Sequence, residues 1–307
     1  MNILITGGTG LVGTRLTEIL VKNGHRVSYL SRSTNTSSKI KIFKWDLDKN
    51  YIDPAAFESI DCIVHLAGAG IADKRWSDDR KKEILESRIK PIELIANYLK
   101  NNSHTIKSFI SASAIGFYGG DTGETRIDET SAAGTDFLAN VTKNWEAASR
   151  QIEVLGIRTV QIRVGIVLSN KGGALPKLLH PIRLGFGASL AGGKQFMSWI
   201  HIDDLCGIFQ KAIETPNMHG AYNAVAPNPV TNQEMTKVAA KILKKPLWLP
   251  SIPSFALHLL MGEMAIIATG GNYILNKRIA EETDFKYEYM NIEKALACEI
   301  GEVRLEK

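Results

Sequence analysis

Short apolar runs bounded by glycine and polar turns alternate along this chain with longer stretches of helical period. The first run, Ile3-Leu4-Ile5, leads into Thr6-Gly7-Gly8-Thr9-Gly10-Leu11-Val12-Gly13 and then into a helix-competent segment, residues 14–23. Further strands are predicted at 26–30, 40–45, 61–66, 107–111, 158–164 and 222–225, and a polar, turn-like stretch at 34–39. Between the strands at 61–66 and 107–111 a charged helix is predicted over 77–99, with Ser77 as N-cap and Asp78 and Asp79 in its first turn. Another helix begins at Phe137. Strands alternating with helices in this way predict an α/β chain built on a parallel sheet.

After residue 226 the pattern changes. Thr231 with Glu234 three residues on has a capping-box look for a helix to 243, which Lys244-Lys245-Pro246 ends. Gly172-Gly173 opens another helix, 185–193 reads as an irregular loop, and 252–267 and 292–297 supply more helical material. The most apolar later stretch, 252–271, carries His258, Glu263 and two glycines, which predicts a buried or groove-lining helix rather than a membrane span. The expected division is a dinucleotide-binding domain over 1–168, with 199–226 returning to it. A smaller lobe from 169–198 and 227–307 is expected to cover the carboxyl edge of the sheet.

Gly7, Gly10 and Gly13 give the first run its chemistry. Their spacing, between a strand and a helix, suits a turn whose backbone approaches a pyrophosphate while the helix N-terminus faces the anion. The fold class is therefore a doubly wound Rossmann sheet with a smaller C-terminal α/β lobe. At the end of the second strand an acidic residue would suit the ribose hydroxyls of NAD; Ser31 followed by Arg32 suits a 2′-phosphate, hence NADP. Asp46, with Leu47 at the end of the third strand, either accepts from an adenine amino group or caps the next turn. Leu66, Ala67 and Gly68 let a cofactor pass close to the main chain, and His65 inside that strand reads as a packed, hydrogen-bonded histidine. Glu83 and Arg88 on the charged helix are candidates for holding ribose or phosphate.

Composition narrows the partners. The net charge of +5 is spread over interspersed acids and bases, with no basic stripe carrying aromatics, which argues against nucleic acid. Cys62, Cys206 and Cys298 stand far apart, in neither a metal-binding nor a disulfide pattern. No metal is expected. The chain opens directly on a strand, without a charged leader, and the expected setting is the cytoplasm, away from membranes.

Several landmarks follow one another in a known order: the glycine turn, the His65-Leu66-Ala67-Gly68 turn, Ser111-Ala112-Ser113 with Tyr118-Gly119 behind it, and the segment from Trp199 to Leu205. Together they resemble the extended short-chain dehydrogenase/reductase superfamily. Ala72-Asp73-Lys74-Arg75-Trp76, Ser87-Arg88, Trp145-Glu146, Gly172-Gly173, Tyr222-Asn223 and Leu260-Met261-Gly262-Glu263 are similar to its sugar-nucleotide epimerase-like atypical reductases. The resemblance spans essentially the whole chain and implies NADP (NADPH) as cofactor. It places at the cofactor Thr6, Gly7, Gly10, Leu11, Val12, Gly13, Ser31, Arg32, Asp46, Leu47, Leu66, Ala67, Gly68, Glu83, Arg88, Ser111 and Val167.

In active members of that superfamily a Tyr-x-x-x-Lys on the helix after the fifth strand supplies the acid/base, the lysine lowering the tyrosine pKa and holding the ribose. Registering Glu146 on the acid that follows puts Leu138 and Thr142 in those two places, and Lys143 is turned about 100° away. The usual relay is thus expected to be missing. Ser113, matching the superfamily's strand-end serine, and Tyr118 are the remaining catalytic candidates, each with a structural alternative. Arg163 either packs at a strand end or faces an anionic substrate, and Asp203 is placed to cap the helix after Trp199. Three functions stay open: an NADP-dependent enzyme on a sugar nucleotide or other small carbonyl or hydroxyl compound, a catalytically silent NADPH sensor, and a scaffold. A homodimer is compatible with any of them.

Overall fold

The computed structural model describes residues 1–33 and 40–302; the turn read at 34–39 lies outside the described residues. The chain opens with β1 (Asn2–Thr6), α1 (Leu11–Lys22), β2 (Arg26–Ser31) and β3 (Lys41–Asp46), and the short β4 (Tyr51–Ile52) folds back antiparallel on β3. Then come β5 (Cys62–His65), α2 (Asp78–Asn101), β6 (Ser108–Ala114), β7 (Arg126–Ile127), α3 (Phe137–Glu153), β8 (Arg158–Val164) and β9 (Ile166–Leu168). The next part holds α4 (Ala174–Arg183), β10 (Phe196–Met197), β11 (Trp199–His201), α5 (Ile202–Glu214) and β12 (Gly220–Ala224). The remainder comprises β13 (Val230–Thr231), α6 (Asn232–Leu243), α7 (Ser254–Met261), α8 (Ile266–Thr269), β14 (Tyr273–Ile274), α9 (Lys277–Glu282) and α10 (Ile292–Glu302).

Eight strands form one sheet in the order β12-β8-β6-β5-β1-β2-β3-β4, parallel throughout except for β4. The chain runs outward from β1 through β2 and β3, then crosses back to β5 on the other side of β1. That reversal opens a crevice at the carboxyl ends of β1 and β5, where doubly wound sheets bind ligands. The apolar runs of these central strands follow from burial on both faces. Ile3, Leu4, Ile5, Ile63 and Val64 have no exposed surface, each contributing about 1.5–3 kcal/mol of burial. On one face α1 and α5 close a core with Leu16, Leu20, Leu205 and Phe209. On the other, α2 and α3 close a second with Ile92, Ile95, Trp145 and Ile152. A third cluster joins α4, α6 and α10 through Leu175, Leu179, Met235, Ala239 and Leu296.

Local signals place most boundaries. The Arg80 N–H donates to Ser77 Oγ at 3.2 Å, the Glu234 N–H donates to Thr231 Oγ1 at 3.2 Å, and α6 stops at Lys244 in the left-handed region. Helix α1 starts three residues before the segment expected from its apolar period, because Gly10 already serves as its N-cap. Asp203 is not the cap of α5. His201 holds that place, its Nδ1 accepting from the Asp203 N–H at 3.2 Å, and Asp203, inside the first turn, ion-pairs with Arg15 at 2.5 Å. Position two of a helix still favours an acid through the dipole, so the residue type alone could not separate the two places.

The 252–271 stretch also departs from expectation. Only Leu257 of α7 is buried, while Phe255, Leu259 and Leu260 are 75, 77 and 73% exposed. Among the described residues no helix is long and apolar enough to cross a membrane.

Candidate nucleotide cleft

Gly7 follows β1 with φ +71°, a conformation that side chains disfavour, and a Cβ there would lie 2.8 Å from the Ala67 nitrogen. The turn is therefore pressed against the loop that leaves β5. Gly13 brings α1 equally close, since a Cβ on it would stand 2.4 Å from the Gly7 carbonyl oxygen. Gly10 caps α1 without any side-chain acceptor, so the first-turn N–H groups of this helix face outward at the switch point. A cradle this close to bare backbone fits a phosphate group, and a side chain at Gly7 or Gly13 would fill it.

Behind the turn, Thr6 ties the two strand ends together. Its buried hydroxyl accepts from the Ala67 N–H at 3.3 Å and hydrogen-bonds His65 Nδ1 at 2.7 Å. His65 is fully buried; desolvation, helped by the Arg88 charge, brings its pKa down to about 3 and keeps it neutral. It is the packed histidine that its place inside a strand suggested.

A cleft of about 430 Å³ runs from this turn over the ends of β2 and β3. It unites the predicted Gly7, Gly10, Ser31, Arg32, Leu47, Leu66, Ala67, Gly68 and Glu83. Ser31 and Arg32, consecutive at the end of β2, both line it. Glu83 reaches the same wall with its carboxylate engaged by Arg80 at 2.6 Å, which leaves it a weaker partner for a ribose than the sequence suggested. Asp46 takes the turn-capping alternative, accepting from the Lys49 N–H at 3.2 Å.

Leu11 lies on the other side of the turn, in a second cavity of about 340 Å³ shared with Arg15, Lys171, Asp203 and Glu299. Val12 presents its carbonyl to the Cys206 thiol at 3.8 Å, and Val167 sits in β9 beside Ile200 of β11. Ser111 is fully buried in β6, its hydroxyl donating to the Ala112 carbonyl at 2.8 Å, and it lines neither cavity.

Sequence reasoning missed Tyr29, Trp45, Asp48, Ser87 and Lys90 in the cleft wall. One signal existed for Tyr29. Gly8 lies outside the three-glycine spacing, and a Cβ on it would fall 2.3 Å from the Tyr29 ring, so the extra glycine admits that ring. Ser87 accepts from the Ala69 N–H at 2.9 Å and so fixes the wall after Gly68.

The two catalytic candidates are brought together, but away from the cleft. Ser113 donates to Glu146 at 2.8 Å, and Glu146 accepts from Arg163 Nε and a terminal nitrogen at 2.8 and 3.0 Å. Arg163 donates in turn to the Tyr118 hydroxyl at 2.8 Å, and Tyr118 to Asn223 at 2.8 Å. The guanidinium also lies 3.5 Å from the Phe117 ring centroid. Every member of this chain is buried, and burial raises the Tyr118 pKa to about 12. Such a tyrosine holds its proton at neutral pH, and Arg163 takes the packed alternative. On α3, Leu138 lies against Gly116 and Gly120, Thr142 donates to the Leu138 carbonyl at 2.9 Å, and Lys143 points outward to the Gly134 carbonyl at 3.4 Å.

Comparison with known proteins agrees with this architecture. Residues 3–225 match the NAD dependent epimerase/dehydratase family, and residues 252–298 match a domain of unknown function, DUF1731. The chain is 35% identical over 298 residues to the epimerase family protein YfhF of Bacillus subtilis, covering 97% of both. A crystal structure of human epimerase family protein SDR39U1 (isoform 2) with NADPH superposes with a TM-score of 0.86 at 32% identity, covering 98% of this chain and 99% of that one. The UDP-glucose 4-epimerase of Thermotoga maritima, solved with UDP-glucose, has a TM-score of 0.79 at 16% identity over 100% of this chain and 99% of that one, a likeness of fold alone.

Proposed function

This chain belongs to the NAD dependent epimerase/dehydratase family, and on that premise we propose that it binds NADPH and acts on a small carbonyl or hydroxyl compound, such as a sugar nucleotide, without a Tyr-x-x-x-Lys relay. The observation that carries the nucleotide part is the junction of the bare glycine turn with Ser31 and Arg32 in one cleft. The solved human relative with NADPH supports it. Bound there, the nucleotide would supply a hydride to a carbonyl as NADPH, or accept one from a carbinol as NADP+. The chain's own part is to seat the diphosphate on Gly7, Gly10 and the α1 N-terminus, and the 2′-phosphate beside Arg32. Leu138 and Thr142 contribute no titratable proton at the relay places, so any proton transfer would come from elsewhere.

A second reading, a catalytically silent NADPH sensor, draws on the Ser113–Glu146–Arg163–Tyr118 chain. Both catalytic candidates are committed to that internal network. Titration with NADPH and NADH, followed by fluorescence, tests the shared premise. NADPH is expected to bind more tightly, and Arg32→Ala to weaken NADPH by about tenfold or more while leaving NADH nearly unchanged. Equal binding of the two nucleotides by the wild-type protein would refute the 2′-phosphate assignment. Hydride consumption with any carbonyl substrate would then separate enzyme from sensor.

A further inference from the structure

Two stretches of the chain, 171–202 and 235–262, carry eight lysines and arginines and not one aspartate or glutamate. The whole chain is +5, so everything outside them sums to −3. The fold sets the two stretches side by side. Trp248 Nε1 donates to the Gly185 carbonyl at 3.0 Å, the Ile252 N–H donates to the Ser189 carbonyl at 2.9 Å, and Leu190 and Ile252 form a parallel bridge. Lys177 stands 4.0 Å from Asp73, and Lys241 pairs with Glu293 at 2.8 Å. Arg183, Lys194, Lys244 and Lys245 enter no ion pair among the described residues.

Large apolar side chains stand out from the same junction. Leu184 and Phe186 are each 60% exposed and Trp248 is 64% exposed, and the bare Phe255, Leu259 and Leu260 of α7 follow Ile252 within one short helix. An aromatic side chain offers about 150–250 Å², so the three rings alone leave on the order of 400 Å² open to water. The leucines carry the strip beyond the few hundred Å² that a monomer usually shows. These side chains protrude and form no pocket, so they suit a partner that reshapes around them. The Trp248 indole N–H is already bonded to Gly185, and its ring can leave water without an unmet donor. Cations border the strip, since Arg183 directly precedes Leu184, and Lys244 and Lys245 shortly precede Leu247. Two copies of such a face would oppose like charges, whereas an anionic surface complements it.

We propose that this strip is a membrane-docking surface that lays the protein on an anionic phospholipid bilayer. Phe186, Trp248, Phe255 and Leu259 enter the headgroup boundary, while Arg183, Lys244 and Lys245 face the lipid phosphates. The chain lies on such a bilayer and does not cross it, in keeping with the lack, among the described residues, of a helix long and apolar enough to span. This replaces the expectation of a setting away from membranes. The strip shares no residue with the nucleotide cleft, so it does not depend on what binds there.

Co-sedimentation of the full chain with phosphatidylcholine vesicles, with and without phosphatidylglycerol, tests the surface. Binding to the mixed vesicles is expected, at least about tenfold tighter than to phosphatidylcholine alone and falling as salt is raised. Lys244→Gln with Lys245→Gln should weaken it about twentyfold, on about fivefold for each cation. Phe255→Ser with Leu259→Ser should weaken it about a hundredfold, with an unchanged melting temperature because both side chains are exposed. Vesicles should also shift the tryptophan emission of the wild-type protein to the blue, and Trp248→Phe should abolish most of that shift. The lysine pair decides the matter if the serine variant does not fold. Binding to neither vesicle, or equal binding to both that salt and the lysine pair leave untouched, overturns the proposal. So does a concentration-dependent dimer in sedimentation velocity that the serine pair dissolves, since a second copy would then cover the strip.

Discussion

Glu146→Gln is the sharpest probe of the buried network. Glu146 is 2% exposed and its carboxylate accepts three hydrogen bonds, two from Arg163 and one from Ser113. Arg163 has one other polar partner, the Tyr118 hydroxyl, and is itself 5% exposed. Neutralising Glu146 leaves the guanidinium buried without a counter-charge, a loss of about 3–5 kcal/mol. For a chain of this size that lowers Tm by roughly 5–10 °C. Arg163→Met should cost a similar amount, and the pair Glu146→Gln with Arg163→Met clearly less than the sum, giving a coupling on the order of 2–3 kcal/mol. Scanning calorimetry of the four proteins completes the cycle, with NADPH titration of each variant below its transition. Nucleotide affinity is expected within about twofold of wild type, because no member of the network lines the cleft. A Glu146→Gln protein that keeps its Tm but loses NADPH would refute the reasoning, since the carboxylate would then be serving the site rather than the fold.

Three further outcomes follow from the same geometry. Gly13→Ala places a methyl 2.4 Å from the Gly7 carbonyl and should cost about 1–3 kcal/mol together with at least tenfold in NADPH affinity, read by thermal melts and fluorescence titration. His65, with its folded pKa lowered to about 3 from 6.5, makes folding release a proton in acid. Its share of stability is whole above pH 6.5 and falls by up to about 1.4 kcal/mol per pH unit toward pH 3, so His65→Asn should flatten the acid limb of a urea-melt pH series; an unchanged slope would contradict the burial argument. Leu259→Lys should leave Tm within about 2 °C of wild type, since the side chain it replaces is 77% exposed, and a large drop would show α7 to be buried in solution.

How much of the site could be read from the chain depended on whether a residue acts through its backbone or through its neighbours. Gly7, Gly10 and Gly13 were legible because their spacing encodes a local strand–turn–helix geometry, and Ser31 and Arg32 because they sit at a strand end within the same βαβ unit. Ser113 and Tyr118 were not, since a strand-end serine and a tyrosine before two glycines look the same whether they face a substrate or Glu146. Trp45 and Asp48, at the end of β3 and in the turn after it, and Ser87 and Lys90 on α2 come from two distant stretches that only the sheet order gathers.

The sequence by itself determined the alternation of strands and helices, the glycine turn between β1 and α1, and the placing of Ser31 and Arg32 at the end of β2, because each depends on residue type at short range. Tertiary structure alone decided three things: that Glu146 and Arg163 neutralise one another, that Arg88 lies between Gly68 and Trp145, and that α7 turns its apolar side chains outward. Charge pairing and burial are properties of groups brought together from distant parts of the chain. No local pattern records them, and it is the folded contacts that fix which charges are cancelled.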